Sequence, residues 1–450
     1  MLFQLALKLL GPFSHHFSGT LTGVAVDSRE VRPGDLFFAL QGDVTDGHKF
    51  LEEVAKKKAI GAVIRSDFSG HVPPTLPVAR VEDPLKTLQE LARTLVRQVG
   101  AKVIAITGSI GKTTTKEFVK TILSVGTSVC ATTANHNSQI GVPLSLINSM
   151  RGDEKWLVVE MGMTHAGNIR RLIEIVPPDI ALVTMVSLVH LEQFEGLAQI
   201  ARAKAEIFES SKTTWNLFNA DTPHADVLAS IGRGKKRSFS TQNCPGAYWS
   251  LDIGDGTVSI REGGVETVLP CPMFPARHVY ENMLAAVVAA RTTGMGWDAI
   301  EEALPLLTLP KMRLEKKRYQ GIWFINDSYN ASEMSMMSAL DMLSGHAPSR
   351  RVAVLGQMRE LRAFSEECHR RVGEKALGTA DVLYCLGKEC EPIVQTWKDA
   401  GRTCFWTHSL QHLTEQLKKE LSLGDVVLLK GSRSNELWKV LDSFAEGAHR

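Results

Sequence analysis

Between Lys102 and Glu117 the sequence KVIAITGSIGKTTTKE passes from an apolar stretch into a glycine turn and then into a helix-like segment. A strand that enters a helix through such a turn aims successive backbone N–H groups, and the positive end of the helix, at one point that suits a phosphate. Gly108 and Gly111 let the backbone approach closely. Lys112 can reach terminal phosphates, and the Thr113 hydroxyl can coordinate Mg²⁺, a hard cation that takes oxygen ligands and water. The spacing is not that of the ordinary phosphate loop G-x-x-x-x-G-K-[ST], whose first glycine falls at the position of Ile106.

Three further residues stand where apolar runs end or helices turn. Glu160 follows the four apolar residues Trp156 to Val159, a strand-end position that suits support of a metal–nucleotide complex. His190 stands at the exit of VTMVSLVHLEQF; by residue type alone it reads as a structural hydrogen-bonding histidine. Lys204, in ARAKAEIF, reads by the same standard as a solvated helix lysine. The residues alone imply an Mg-nucleotide enzyme.

The elements that must position these residues follow from patterning. A chain of 450 residues fits about three domains. Up to residue 85, GVAVDSREVRPGDLFFAL gives strand, polar Pro-Gly turn and second apolar run. DPLKTLQELARTLVRQVG has leucines at helical spacing, with Asp83 and Pro84 as cap and first-turn residue. From 102 to about 310, buried-strand candidates at 103–106, 156–160 and 179–186 alternate with helical segments, as in a parallel sheet with crossover helices. Residues 245–270 break this rhythm with short alternating runs around Asp-Gly and Gly-Gly and predict hairpins. TLPKMRLE, 308–315, reads as a hinge; beyond it RVAVLG, DVLYCLG and DVVLLKG each end a strand at glycine, as in a Rossmann-like unit. The expected class is α/β in three domains: a small N-terminal α/β module over 1–85, a central P-loop parallel-sheet ATPase domain over 86–312, and a C-terminal Rossmann-like domain over 313–450.

Bulk properties narrow the function classes. With 51 Lys+Arg against 49 Asp+Glu, the net charge of +2 gives no electrostatic case for nucleic acid or an anionic membrane, so anionic ligands must be held by local sites. Seven scattered cysteines without a C-x-x-C pair point to reduced thiols in a cytoplasmic setting. MLFQLALKLLGPF is interrupted by Lys8 and reads as a short amphipathic helix, and IALVTMVSLVHL falls well short of the ~20 residues of a membrane helix. No stable membrane insertion is expected.

Taken in order, TGSIGKTTTKE, NHNSQIGVPLSL, EMGMTHAGNI, VHLEQFEGLAQIARAKAEIF, ARHVYEN and NDSYNASEMSM resemble the Mur ligases. The likeness covers nearly the whole chain: DSREVRPGDLFFALQGDVTDGHKF looks like that family's UDP-binding module, and LGQMRELRAFSEECHRRVG and LKGSRS look like its last domain. The shortened G-x-x-G-K-T-T loop is itself the form found in Mur and folylpolyglutamate ligases. The resemblance implies a bacterial cytoplasmic enzyme, expected as a monomer, that uses ATP to activate the terminal carboxylate of UDP-N-acetylmuramoyl-tripeptide (UDP-MurNAc-tripeptide) as an acyl phosphate. The amine of D-alanyl-D-alanine then attacks it. By residue-wise carry-over, Gly108, Ser109, Gly111, Lys112, Thr113 and Thr114 cradle the ATP phosphates, and Thr113 and Glu160 hold the metal they share. His190 serves a second metal, and Lys204 is carbamylated. Asn282 reads adenine, while Arg313 and Asp327 close over phosphates and ribose. Ser28 and Arg29 contact the UDP, and Asn135, Asn137 and Ser138 line the central face of its site.

The chain departs from the family's usual residues at Ser138, Thr164, Val279, Ser332, Glu333, Gln357 and Arg362, none a phosphate or metal ligand; the last four fall in the domain expected to take the dipeptide. Absence of a D-N-P-R tetrapeptide argues against the family member that adds the third residue. The module at 22–50 argues against a folylpolyglutamate synthetase, and NDSYNA against a P-loop switch or motor ATPase.

Overall fold

The computed structural model describes residues 20–42, 45–134, 136–188, 193–346 and 349–445. The amphipathic segment expected near the start of the sequence, Asn135 and His190 lie outside them.

Three sheets organise the described residues. The first is parallel throughout, with β1 (Gly23–Ala25), β2 (Asp35–Phe38), β3 (Gly61–Arg65) and β4 (Val78–Val81) side by side in chain order. The Pro-Gly turn expected between the first two strands stands at Pro33 and Gly34, where Gly34 takes φ +89° and Asp35 N donates to Arg32 O at 3.1 Å; ahead of it lies a 3-10 turn at Ser28–Glu30, capped by the Asp27 carboxylate, which accepts from Arg29 N at 2.9 Å. Alternate residues of β2 and β3 face two cores: Phe37, Ala62 and Ile64 pack with Leu51 and Val54, while Leu36, Phe38 and Val63 pack with Leu88, Leu91 and Leu95. Burial on both faces is why DLFF is apolar after its first residue instead of alternating with polar positions.

The helix Pro84–Val99 supplies that second face and forms as its sequence predicts. Asp83 accepts from Leu85 N and Lys86 N, Pro84 occupies the first turn, and Gly100 ends the helix at φ +70°.

The central sheet holds β5 (Lys102–Thr107), β6 (Val129–Ala131), β7 (Trp156–Glu160), β8 (Ile180–Val183), β9 (Trp215–Asn219), β10 (Lys235–Ser240), β11 (Trp249–Ile253), β12 (Thr257–Glu262) and β13 (Val265–Pro270), in the order 13-12-11-10-9-8-5-7-6. All pairs from β6 to β11 are parallel; β11, β12 and β13 form an antiparallel meander on one edge, the hairpins expected at 245–270. After β5 the chain goes to the far edge at β6, returns through β7, and then crosses to the other side of β5 at β8. The strand order therefore reverses at β5, and the crevice beyond the carboxyl ends of β5, β7 and β8 is where such sheets take ligands.

The third sheet holds β14 (Glu315–Tyr319), β15 (Ile322–Asn326), β16 (Arg351–Gly356), β17 (Val382–Leu386), β18 (Phe405–Thr407) and β19 (Val426–Lys430), in the order 14-15-19-16-17-18, with only β14 antiparallel. β16, β17 and β19 are the three glycine-terminated runs of the sequence. The expected hinge contains two left-handed residues, Met312 (φ 60°) and Leu314 (φ 50°), which bend the chain into β14.

Candidate nucleotide and ligation site

A cleft of about 1170 Å³ lies between the central and third units, lined on one side by the loop after β5 and on the other by the segments after β15, β16 and β19. The loop after β5 is anchored to the extension of β8. Ser109 N donates to Met185 O at 2.6 Å, Ser109 Oγ donates to Ser187 O at 3.0 Å, and Thr184 Oγ1 donates to Ile110 O at 2.6 Å. These bonds fix the loop from outside, so its shape does not depend on local propensity alone.

Its glycines are required by contact. A Cβ on Gly108 would lie 1.9 Å from Thr184 Oγ1, and one on Gly111, at φ +87°, would lie 2.2 Å from Asn282 Oδ1. A Gly111→Ala variant is expected to lose about 1–3 kcal/mol of stability and about tenfold in nucleotide affinity, measured by thermal unfolding and ADP titration. Unchanged affinity would show that the loop tolerates displacement.

Lys112 opens the helix Lys112–Ser124, and its Nζ donates to Gly108 O at 2.7 Å and Ser109 O at 3.2 Å. Burial pushes its ammonium below the usual lysine range; the nearby Glu160 carboxylate opposes that shift and Arg313 adds to it. From the third unit, Arg313 Nη2 donates to Thr113 Oγ1 at 3.1 Å, and its guanidinium lies 4.4 Å from the centre of the Tyr329 ring. A residue 200 positions downstream thus touches the hydroxyl of the phosphate loop.

Glu160, at the end of β7, is 1% exposed. Its Oε1 accepts from Asn137 Nδ2 at 2.8 Å; its Oε2 is buried with no hydrogen-bond partner among the described residues. An orphaned carboxylate oxygen beside a phosphate loop fits a hard cation, for which Glu160 and Thr113 supply oxygen donors. Among the described residues there is no cluster of three or more His, Cys, Asp or Glu side chains arranged to hold a metal by themselves.

Lys204 departs from its residue-type reading as a solvated lysine. It lies in the helix Leu197–Ala205, lines the cleft, and is 2% exposed. Among the described residues no hydrogen bond or ion pair holds its Nζ. Burial first, and then the charge of Lys112, push its pKa well below the usual lysine range.

Asn282, in the helix Arg277–Thr292, sits beneath the loop and accepts from Thr115 Oγ1 at 3.3 Å through Oδ1. Asp327 follows β15 and is paired at 2.6 Å with the buried Lys430, while its Oδ1 accepts from Leu314 N at 3.2 Å. Thr114 and Ser138 also line the cleft; Ser138 Oγ accepts from Gly141 N at 3.0 Å, securing the start of the helix Gly141–Ser149.

Ser28 and Arg29 are not brought to this cleft, which among the described residues has no lining residue before Leu85. Ser28 Oγ donates to Glu53 at 2.8 Å, and exposed Arg29 grips Asp27, holding that carboxyl down to about 2. Their unit is tied to the central one by a two-way amide pair: Val24 N donates to Asn148 Oδ1 at 2.8 Å and Asn148 Nδ2 donates to Val24 O at 2.9 Å.

Comparison with known proteins accounts for this arrangement. Residues 20–94 match the model described as Mur ligase family, catalytic domain; residues 106–290 match the Mur ligase middle domain; residues 312–433 match the Mur ligase, glutamate ligase domain. A UDP-N-acetylmuramoyl-tripeptide--D-alanyl-D-alanine ligase from Escherichia coli (strain K12) is 33% identical over 440 residues, covering 95% of this chain and 94% of the relative. The chain belongs to the Mur ligase family. A crystal structure of MurF ligase from Thermotoga maritima in complex with ADP superposes with a TM-score of 0.78 at 27% identity, covering 95% of this chain and 98% of that one. MurF from Acinetobacter baumannii, at 24% identity and a TM-score of 0.82 over 98% of both chains, shares the fold.

In this Mur ligase three residues that shape the cleft, two of them in its lining, carry no role in the sequence reading. Thr184 locks the loop, Lys430 pairs with Asp327, and Tyr329 lies against Arg313. The available signal for Lys430 is a cation ending the wholly apolar run VVLL, a costly placement unless it is paired. Of the departures from family residues, Ser138, Thr164, Val279 and Ser332 line the cleft. Glu333 instead bonds Cys368 and Arg371, and Gln357 packs beside Gly387.

Proposed function

We propose that this chain is the ATP-dependent ligase that joins D-alanyl-D-alanine to UDP-N-acetylmuramoyl-tripeptide, giving the pentapeptide precursor of peptidoglycan. What carries the reading is the contact of Arg313 with Thr113, which makes the phosphate site a joint property of two units. Such a site closes only when both walls meet, which excludes water from an acyl phosphate. In this reading the units run over 1–85, 86–312 and 313–450, and the enzyme works as a cytoplasmic monomer.

A carboxylate is a poor electrophile and repels the incoming γ-phosphate. Lys112 and Arg313 neutralise the phosphoryl oxygens while Gly108, Gly111 and Thr114 cradle the chain of phosphates through their backbone N–H groups, and Ser109, whose N–H is bonded to Met185 O, holds the loop in the shape that does so. The phosphorylated carboxylate then accepts the dipeptide amine, and the tetrahedral intermediate collapses to amide and phosphate. An α-amine with a reference pKa of about 7.7–8 is already partly neutral at neutral pH, so no dedicated base is assigned. Mg²⁺, held by Thr113 and Glu160 and at a second site by His190, supplies charge neutralisation of the phosphates when bound. Asn282 donates to the adenine, Asp327 takes the ribose, and Ser28, Arg29, Asn135, Asn137 and Ser138 serve the UDP-linked substrate.

Lys204 is carbamylated in this reading. Its lowered pKa supplies the neutral amine that adds CO₂, and an anionic carbamate would relieve the repulsion from Lys112. Lys204→Ala is expected to lower turnover by about a hundredfold or more, with no recovery on adding bicarbonate. Wild-type-like turnover would remove the carbamate from the account.

Mass analysis of the product tests the substrate assignment. UDP-MurNAc-tripeptide, D-alanyl-D-alanine and ATP together are expected to give the UDP-pentapeptide. Ligation of a single amino acid onto UDP-MurNAc-dipeptide instead would place the chain elsewhere in the family.

A further inference from the structure

The cleft wall opposite the phosphate loop carries several cations, and most are already committed. Lys430 is paired with Asp327 at 2.6 Å, Arg359 lies 3.4 Å from Glu389, and Arg313 reaches Thr113. Arg433 differs from these. It stands exposed on the turn Arg433–Asn435 that follows β19, lines the cleft, and among the described residues has neither an acidic partner nor a side-chain hydrogen bond such as the one Arg313 makes to Thr113. Two aromatic rings hold it: its guanidinium lies 5.2 Å from the centre of Tyr329 and 5.7 Å from that of Trp438. Aromatic contact orients a guanidinium without neutralising it, leaving its planar fork of donors for a carboxylate. Because Tyr329 also bears Arg313, one ring contacts two guanidiniums, one directed to the phosphate loop and one uncommitted.

The ligation involves three anionic partners. The ATP phosphates have Lys112, the loop and Arg313. The acceptor carboxylate has to meet the γ-phosphate and so shares the Lys112 side. The dipeptide brings a carboxylate of its own at its far end, about 7 Å from its amine when extended, to which no cation is yet assigned. Fixing that end on the wall opposite the phosphate loop turns the amine toward the acyl carbon.

We propose that Arg433, oriented by Tyr329 and Trp438, binds the carboxylate of the incoming D-alanyl-D-alanine and thereby selects a dipeptide with a free C-terminus. This rests on the ligase reading above.

The test compares D-alanyl-D-alanine with D-alanyl-D-alaninamide as amine substrates of the full chain, in wild type, Arg433→Gln and Arg433→Lys. A charge-assisted pair predicts that wild type prefers the free carboxylate by about ten- to a hundredfold in kcat/KM. Arg433→Gln is expected to lose that preference by raising the KM for the dipeptide alone, and Arg433→Lys to recover part of it. KM values for ATP and UDP-MurNAc-tripeptide are expected to stay within about threefold of wild type, which also shows that the variants fold. An unchanged preference in Arg433→Gln, or a rise in KM for ATP or the UDP substrate in its place, overturns the assignment while leaving the ligase reading intact. A wild-type chain that ligates no dipeptide overturns both.

Discussion

Lys112→Met is expected to leave a folded protein whose turnover is lower by about a thousandfold or more. Removing one preorganised positive donor from a transferring phosphoryl group has an effect of this order. Stability moves in a different direction. The Lys112 pKa lies below its unfolded value because burial disfavours the cation. A lysine with a lowered folded pKa binds fewer protons when folded than unfolded, so at every pH below its unfolded pKa near 10.4 its charge opposes folding. A methionine of similar length removes that penalty, while Gly108 O and Ser109 O lose a donor. Thermal unfolding at neutral pH is therefore expected to show a midpoint equal to or above wild type, alongside an almost inactive enzyme in a phosphate-release assay. A lysine that is only structural would give the reverse pattern: lower stability with turnover retained.

The second large effect is expected at Glu160→Gln. The substitution keeps shape and one carbonyl oxygen but removes the charge of a carboxylate whose Oε2 has no protein partner and whose Oε1 is fixed by Asn137. If that oxygen faces a divalent cation, turnover falls by about a hundredfold or more, and the Mg²⁺ concentration for half-maximal rate rises. Titrating activity against Mg²⁺ in both proteins measures the two changes separately. A variant with lower turnover but an unshifted Mg²⁺ requirement would assign Glu160 to positioning Asn137 and its loop, and not to the metal.

Much of this site is legible in the sequence because its parts are local. Strand, glycine turn and helix from Lys102 to Ser124 are adjacent in the chain, and the apolar runs ending at Glu160 and in front of Thr184 mark the neighbouring strands. The ordered motifs then assign the family, which the full-length relatives bear out. What residue type alone misreads is Lys204, because a helix lysine looks solvated until the helix is seen to turn it into the buried wall of the cleft, within reach of the Lys112 charge. Contacts between units are not legible at all. Arg313 meets Thr113 across 200 positions, and no periodicity encodes which groups meet when two sheets face each other; even within the third sheet, Asp327 and Lys430, 103 positions apart, meet only because β15 and β19 pair. The uncommitted state of Arg433 belongs to the same class, since it emerges only after the other cations of the wall have found their partners.

In the proposed ligase, phosphate leaves ATP only by way of a substrate carboxylate and a following amine. Steady-state phosphate release tests it most directly, measured with ATP alone, then with UDP-MurNAc-tripeptide added, then with D-alanyl-D-alanine added as well. Sustained release is predicted only in the last mixture, in equal amount to the amide formed; turnover at the same rate with ATP alone would contradict it and describe a hydrolase in place of a ligase.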